Sequence, residues 1–318
     1  MYKIGIVSTS FIVDTFMQAC NLEPRLKAIA LFSKNPDAKK LAQKHSIESV
    51  YDDYQEFLSS DIDIVYVASA NVAHFEQAML AIKARKHVLI EKPMALNVDQ
   101  ISKLYVASRE YNVFIMEALT LVAMPNLQVL KDLILDIGVI KHVKFNMLQQ
   151  TRHYHSFQSG EYFNVFDIEK GGGAMYDLGT YLIHPMVYLF GVPKEQVDFN
   201  NVNQYGCDMT NTSVFRYNGF DVILNCSKET FDPSNSVICG DLATIEIKSM
   251  STLDAIKVYD NKGNIIKEYE CEVKFRMLPE INHFVDIIES GVYCSNLYSE
   301  TLAQTVCDII DKVDRKNK

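Results

Sequence analysis

From residue 2 to residue 116 the chain alternates short apolar runs with amphipathic ones, and few folds accept that alternation. Residues 2–7, 26–32, 64–68, 87–90 and 113–116 read as strands, and 11–20, 37–45, 74–84 and 99–111 as the helices between them. Asn97 and Asp99 are candidate caps for the last helix, because a short polar side chain there accepts from the first amides of a helix. Strands joined through helices run parallel, since a crossover is what brings the chain back in the same direction. The expectation is an α/β half built on a doubly wound parallel sheet, with a ligand crevice at the carboxyl ends of its strands.

Past Met116 the rhythm changes. A helix over 125–136 leads to a strand over 140–150, an irregular aromatic stretch and a helix over 174–190. Strand-like segments follow at 212–217, 221–226, 244–247, 255–259 and 265–269. Asn218-Gly219 and Asn261-Lys262-Gly263 between them are hairpin signals, because Asn and Gly accept the positive φ of tight turns. Helices over 279–290 and 299–313 close the chain. This second half is expected to be α+β, with a large, mostly antiparallel sheet.

Composition removes several classes of partner. The 318 residues carry 31 Lys and Arg against 40 Asp and Glu, a net charge of −9. Basic residues gather only in the tail, at Lys312, Arg315, Lys316 and Lys318, so no positive stripe awaits a nucleic acid. No apolar run approaches the roughly 18 residues that span a bilayer, and the apolar opening is too short for a signal peptide. The seven cysteines form no C-x-x-C pair. That disfavours a disulfide framework and a zinc knuckle, and points to a reducing, cytoplasmic location.

In a sheet of this kind the first strand-to-helix turn is where a dinucleotide pyrophosphate sits, on helix N-terminal amides. A full fingerprint there reads G-x-G-x-x-G or A; this chain has Ser8-Thr9-Ser10-Phe11-Ile12-Val13, with serine at the first two glycine positions. A Cβ obstructs the turn and the approach of the phosphate, although a serine hydroxyl can donate to a phosphate oxygen. Two readings of these six residues stand together: a phosphate loop with serines, and an ordinary turn with a serine cap.

Other segments decide between them. Lys86-His87-Val88-Leu89-Ile90 is a short strand closing in Glu91-Lys92-Pro93, and Gly171-Gly172-Gly173-Ala174-Met175-Tyr176-Asp177-Leu178-Gly179 comes later. With Asn71-Val72-Ala73-His74 and Met116-Glu117-Ala118, these motifs closely resemble the Gfo/Idh/MocA family of oxidoreductases over essentially the whole chain. The resemblance implies a dinucleotide-binding Rossmann domain over residues 1–119. It implies a substrate-binding and oligomerisation domain over 120–318, whose last helix packs back on the first domain. It also implies Lys92 beside the nicotinamide and the substrate's reacting oxygen, where its charge stabilises developing negative charge. Pro93 has a fixed φ and pushes Lys92 toward an extended conformation.

Asp177, Tyr181 and His184 are spaced i, i+4 and i+7, which puts them on one helix face. Many family members have histidine where Tyr181 stands, so the chain resembles the tyrosine branch that includes the dimeric dihydrodiol dehydrogenases. By that resemblance Lys92, Tyr181 and Asp177 are the catalytic candidates. A phenol ordinarily titrates near 10, so an ammonium close to it has to favour the phenolate. His184, beside Pro185, is a candidate substrate contact or a packing residue.

The remaining candidates concern cofactor and substrate. Ser8, Thr9, Ser10, Phe11, Ile12, Ser69, Ala70, Asn71, His74, Glu91 and Lys92 are expected around the dinucleotide. At the end of the second strand Ser33 and Lys34 stand where NAD-specific proteins have a carboxylate for the ribose 2′-hydroxyl, so NADP is preferred and NAD is the alternative. The chain departs from the family's commoner Thr-Pro at Ser69-Ala70. It also lacks Arg and His in Leu121-Val122-Ala123-Met124-Pro125, which argues for a smaller or less hydroxylated ligand than a typical sugar. Arg152, His153 and Tyr162 are candidate substrate contacts; two nearby histidines, His153 and His155, without a third ligand argue against a metal. The expected function is hydride transfer between NAD(P) and a carbinol or carbonyl carbon of a sugar, polyol, inositol or trans-dihydrodiol. The alternative is a non-catalytic ligand sensor on the same fold. A homodimer or homotetramer through the second sheet is expected.

Overall fold

The structure, a computed structural model, describes residues 1–315; Lys316 and Lys318 of the basic tail lie outside the described residues. The chain divides into two compact units, one of residues 1–120 and 274–304, the other of residues 121–273 and those from 305 onward.

The first unit is a six-stranded parallel sheet of β1 (Tyr2–Val7), β2 (Leu26–Phe32), β3 (Ser49–Tyr51), β4 (Ile64–Val67), β5 (His87–Glu91) and β6 (Ile115–Ala118). The spatial order is β3-β2-β1-β4-β5-β6, every pair parallel. Helices α1 (Phe11–Cys20), α2 (Ala38–Lys44), α3 (Tyr54–Ser59), α4 (Asn71–Lys83) and α5 (Val98–Tyr111) make the crossovers. All of β4 is buried, as a central strand covered by helices on both faces must be. Asn97 caps α5 by accepting from the Gln100 amide at 2.9 Å. The order reverses between β1 and β4, the switch point where such sheets bind ligands.

The sequence reading lacked β3 and α3. A strand of three residues carries too little pattern to be read, but Asp53 does cap α3, accepting from Gln55 N and Glu56 N. That Asp-x-x-Glu spacing is a helix-start signature.

In the second unit α6 (Thr120–Ala123) and α7 (Pro125–Leu133) precede β7 (Ile140–Leu148), and α8 (Tyr154–Gln158) opens an irregular segment. A π-helical turn over Met175–Gly179 continues into α9 (Thr180–Phe190). Seven strands complete an eight-stranded sheet: β8 (Glu195–Val202), β9 (Asp208–Arg216), β10 (Asp221–Ser227), β11 (Ser236–Gly240), β12 (Ala243–Lys248), β13 (Ala255–Asp260) and β14 (Ile265–Glu270). Its order is β14-β13-β12-β11-β7-β10-β9-β8. Only β7 and β10 pair in parallel. Both expected hairpins form, with Gly219 at φ +88° and Gly263 at φ +86°. Strands β8 and β11 were not expected: β8 turns polar residues to its less exposed side and leaves Val197 and Phe199 exposed, the reverse of the usual pattern, and β11 is short.

α10 (Leu278–Ser290) belongs to the first unit, where Phe284 packs on Phe114 with ring centroids 5.3 Å apart. Arg25 bonds Asp286 and Glu289 at 2.7 and 2.8 Å. α11 (Glu300–Arg315) is the last element. Among the described residues no helix is long and apolar enough to cross a membrane.

Candidate active site

In the first unit the candidate groups converge on the carboxyl ends of β1, β4 and β5. Ser8 leaves β1 at φ +95°, a region that glycine occupies at little cost and other residues at about 1–3 kcal/mol. Its hydroxyl accepts from the Ser10 amide at 3.1 Å. Ser10 does not cap α1; its hydroxyl donates instead to Ala68 O at 2.9 Å, tying the turn to the end of β4. The glycine-like backbone, and an N-cap side chain turned away from the helix, fit a pyrophosphate despite the serines. The serine-cap reading is thus corrected. Thr9 and Ile12 are half-buried, and Phe11 is 69% exposed.

Ser69, Ala70 and Asn71 form the β4–α4 turn, and His74 holds it from behind. The imidazole is buried, with Nδ1 2.9 Å from Pro93 O and Nε2 3.1 Å from Ser69 O. Burial pushes its pKa down while the two carbonyls oppose that shift. His74 thereby joins the β4 turn to the Lys92-Pro93 segment. Ser33 and Lys34 lie one strand away, at the end of β2. Ser33 Oγ accepts from Asn35 N at 3.1 Å, and Lys34 is exposed.

Lys92 is half-buried and follows β5 directly. Its neighbours are anchored on both sides. Glu91 Oε1 accepts from Tyr66 Oη at 2.5 Å, and Tyr66 stacks on Phe16 with centroids 3.7 Å apart. Burial pushes the Glu91 carboxyl above its ordinary range, with Tyr66 and Lys92 pulling the other way. On the far side Glu117 accepts from Met94 N at 2.8 Å. The backbone carrying Lys92 therefore has little freedom, which is what a directed charge requires.

Beneath these groups lies an acid that the sequence reading missed. Glu280, on α10, is 0% exposed; Thr120 Oγ1 donates to its Oε1 at 3.3 Å, and Oε2 has no hydrogen-bond partner. Burial first, and the charge of Glu91 second, push its pKa well above the ordinary value. A carboxyl raised in this way stabilises the fold fully below its unfolded value near 4.3, and the stability is lost as pH climbs toward the folded pKa. Glu280→Gln should therefore match the wild type near pH 4 and become progressively more stable than it at higher pH. The advantage should grow by up to about 1.4 kcal/mol per pH unit within that window. Thermal unfolding from pH 4 to pH 8 checks this; parallel curves would refute it.

In the second unit the triple glycine shapes the turn before α9. Gly173 sits at φ +132°, and a Cβ there would lie 2.2 Å from Asp208 Oδ1. Asp208 is 1% exposed and accepts through Oδ2 from Met175 N at 2.9 Å, fastening the start of the π turn. Burial pushes the Asp208 carboxyl up to about 6, against the Met175 amide and Lys228. From Gly171 to Val187 every residue is buried except Asp177 and Tyr181. A π turn at such a position is a recurrent feature of functional sites.

His184, three residues past Tyr181, is buried at 3% exposure, unlike that pair. Arg152 and His153 form a neighbouring patch, with Arg152 Nε donating to His153 Nε2 at 3.0 Å. His153 stacks on Phe163, centroids 4.4 Å apart. Tyr162 donates to Asp167 Oδ2 at 2.6 Å, and that bond pushes its phenol up to about 12. Lys228 was also missed: it donates to Asp177 Oδ2 at 2.9 Å. It is a lysine just beyond an apolar strand, as Lys92 is, but it lacks a motif like the Glu91-Lys92-Pro93 that marked Lys92.

A parallel sheet with this switch point and first turn, with a motif-bearing lysine after β5, defines an NAD(P)-dependent oxidoreductase with a second unit built on a mostly antiparallel sheet. The chain belongs to the Gfo/Idh/MocA family. The family model described as an oxidoreductase family with an NAD-binding Rossmann fold matches residues 2–119, and the model of the family's C-terminal domain matches residues 128–246. The chain is 31% identical over 293 residues to scyllo-inositol 2-dehydrogenase (NADP(+)) IolU of Bacillus subtilis, covering 92% of this chain and 89% of the relative. It is 30% identical over 254 residues to trans-1,2-dihydrobenzene-1,2-diol dehydrogenase of Xenopus laevis, covering 78% and 75%. Among solved structures, levoglucosan dehydrogenase in complex with NADH and levoglucosan superposes with a TM-score of 0.86 at 18% identity, over 100% of this chain and 98% of that one.

Proposed function

We propose that this protein is a dehydrogenase acting on a secondary carbinol of a small cyclic polyol or diol, with NADP preferred over NAD. The carrying observation is the pair Asp177 and Tyr181, open on an otherwise buried helix, with Asp177 bonded to a buried ammonium. The names of the relatives, inositol and dihydrodiol dehydrogenases, support the substrate class and favour catalysis over ligand sensing. Ser33 and Lys34 in place of a β2 carboxylate support NADP.

The bound dinucleotide supplies the hydride acceptor in oxidation and the hydride donor in reduction. In the oxidative direction the C–H bond of the carbinol breaks with its electron pair leaving as hydride, and Tyr181 Oη takes the hydroxyl proton. Lys92 places its positive charge against the oxygen as negative charge develops on it. Asp177 accepts a hydrogen bond from a second hydroxyl. Ser8 to Ile12 hold the pyrophosphate, with Ser69 to Asn71, His74 and Glu91 shaping the rest of the dinucleotide site. Arg152, His153 and Tyr162 are further ligand contacts, while His184 serves packing.

The second sheet supports self-association: on edge strand β8 Val197, Phe199 and Val202 are 50%, 65% and 51% exposed. A homodimer or homotetramer through that sheet, in the cytoplasm, completes the reading.

The test is turnover of scyllo-inositol, other cyclic polyols and trans-diols with each dinucleotide, followed by nicotinamide absorbance. Tyr181→Phe should lower kcat/KM by about 10³-fold with dinucleotide affinity unchanged. Activity retained by this variant would remove the phenol from the reaction, and tighter binding of NADH than NADPH would reverse the cofactor preference.

A further inference from the structure

Lys228 follows β10, and its backbone is held on both sides: its amide donates to Met209 O at 2.9 Å, and its carbonyl accepts from Thr151 N at 2.9 Å. The ammonium turns inward. It donates to Asp177 Oδ2 at 2.9 Å and Val165 O at 3.2 Å, and lies 5.6 Å from the centre of the Phe166 ring.

The ion pair is one-sided. The Lys228 side chain is 2% exposed and the Asp177 side chain 42%. Sealing an ammonium costs several kcal/mol unless strong partners offset it, and pairs that serve only packing have no need of an open carboxylate. Here the sealed cation draws Oδ2 inward and so fixes how the rest of the carboxylate faces the open side. A carboxylate kept ionised by an adjacent ammonium is acceptor-only. It recognises a hydroxyl and gives nothing to a carbonyl or an ether.

Tyr181 stands four residues further on, in the first turn of α9, and with Asp177 is one of the two residues not buried between Gly171 and Val187. An acceptor and a phenol presented together on one otherwise buried stretch suit two neighbouring hydroxyls on one ring. We propose that Lys228 is a positioning residue that acts through Asp177 to select substrates with a hydroxyl adjacent to the reacting carbinol. The selection rests on the dehydrogenase reading above, in which Tyr181 serves the reacting hydroxyl and Asp177 its neighbour.

The test compares trans-cyclohexane-1,2-diol with cyclohexanol, both with NADP present. Lys228→Met keeps length and removes charge. It should lower kcat/KM for the diol by about 100-fold, the loss typical of a misplaced positioning group, and leave cyclohexanol and dinucleotide affinity little changed. Asp177→Asn, which keeps Lys228 in place, should lose the same diol preference. The double variant should be no worse than either single one, as for residues acting as a unit. An equal loss on both alcohols, or a diol preference surviving in Asp177→Asn, would overturn the proposal. If the wild type oxidises neither alcohol, the dehydrogenase reading fails instead. Calorimetric binding of the two alcohols to wild type and Asp177→Asn then still decides the selection: weaker diol binding in the variant supports it and equal binding overturns it.

Discussion

Lys92→Met is expected to lower kcat/KM by about 10³-fold while dinucleotide affinity changes only slightly. The magnitude follows from removing a preorganised positive charge from an oxygen that becomes negative in the transition state, typically worth 10²- to about 10³-fold. Methionine preserves the length and the apolar stem, so packing around the stem is kept. The anchors on either side do not depend on the ammonium: Tyr66 holds Glu91, Glu117 holds Met94, and His74 faces Pro93 O. The turn at Ser8 and Ser10, proposed above for the pyrophosphate, is tied to Phe32 and Ala68. Loss of turnover with intact NADPH binding, followed by fluorescence titration, is the signature of a charge used in the chemical step. If Lys92→Met retained most of its activity, the catalytic role of this lysine would be refuted.

Gly173→Ala is expected to destabilise the protein by about 3 kcal/mol or more, lowering the melting temperature by roughly 6–12 °C. Two costs add. At φ +132° an L side chain is strained by about 1–3 kcal/mol, and the new methyl would stand 2.2 Å from Asp208 Oδ1. Asp208 cannot swing away cheaply, because it is buried and its other oxygen holds Met175 N. Gly160→Ala separates the two terms: Gly160 is at φ +97° with nothing within 4 Å of the added Cβ. It should show the conformational cost alone, so equal losses in the two variants would rule out the steric term. Because the Asp208 bond starts the turn that bears Asp177 and continues into the helix of Tyr181, Gly173→Ala should also lose activity in the fraction that remains folded.

The sequence was most legible where local pattern and contact coincide. β1, β2 and α1 fall at the residues their apolar periodicity marks, because each packs against neighbours all along one face or both. Glu91-Lys92-Pro93 was found because a short motif closing a strand resembles the family's, which is likewise a local signal. The helix expected over 174–190 shows where local reading stops. Its first turn is π-helical, and the group that fastens its start lies elsewhere, in the carboxylate of Asp208 33 residues away, which accepts from Met175 N. The i, i+4, i+7 spacing placed His184 with Asp177 and Tyr181, yet only the latter two are open, since the surrounding unit buries the last position.

Read alone, the order of residues determined the parallel sheet, the family and the lysine after β5, since these follow from periodicity and short motifs. Tertiary structure decided the environment of the reacting groups. It brought Lys228 to Asp177 across 51 positions and Glu280 to Thr120 across 160. Such pairings depend on strand order and on which helix returns to which sheet. The free energy that selects them is the burial of whole faces, and no spacing within one segment records it.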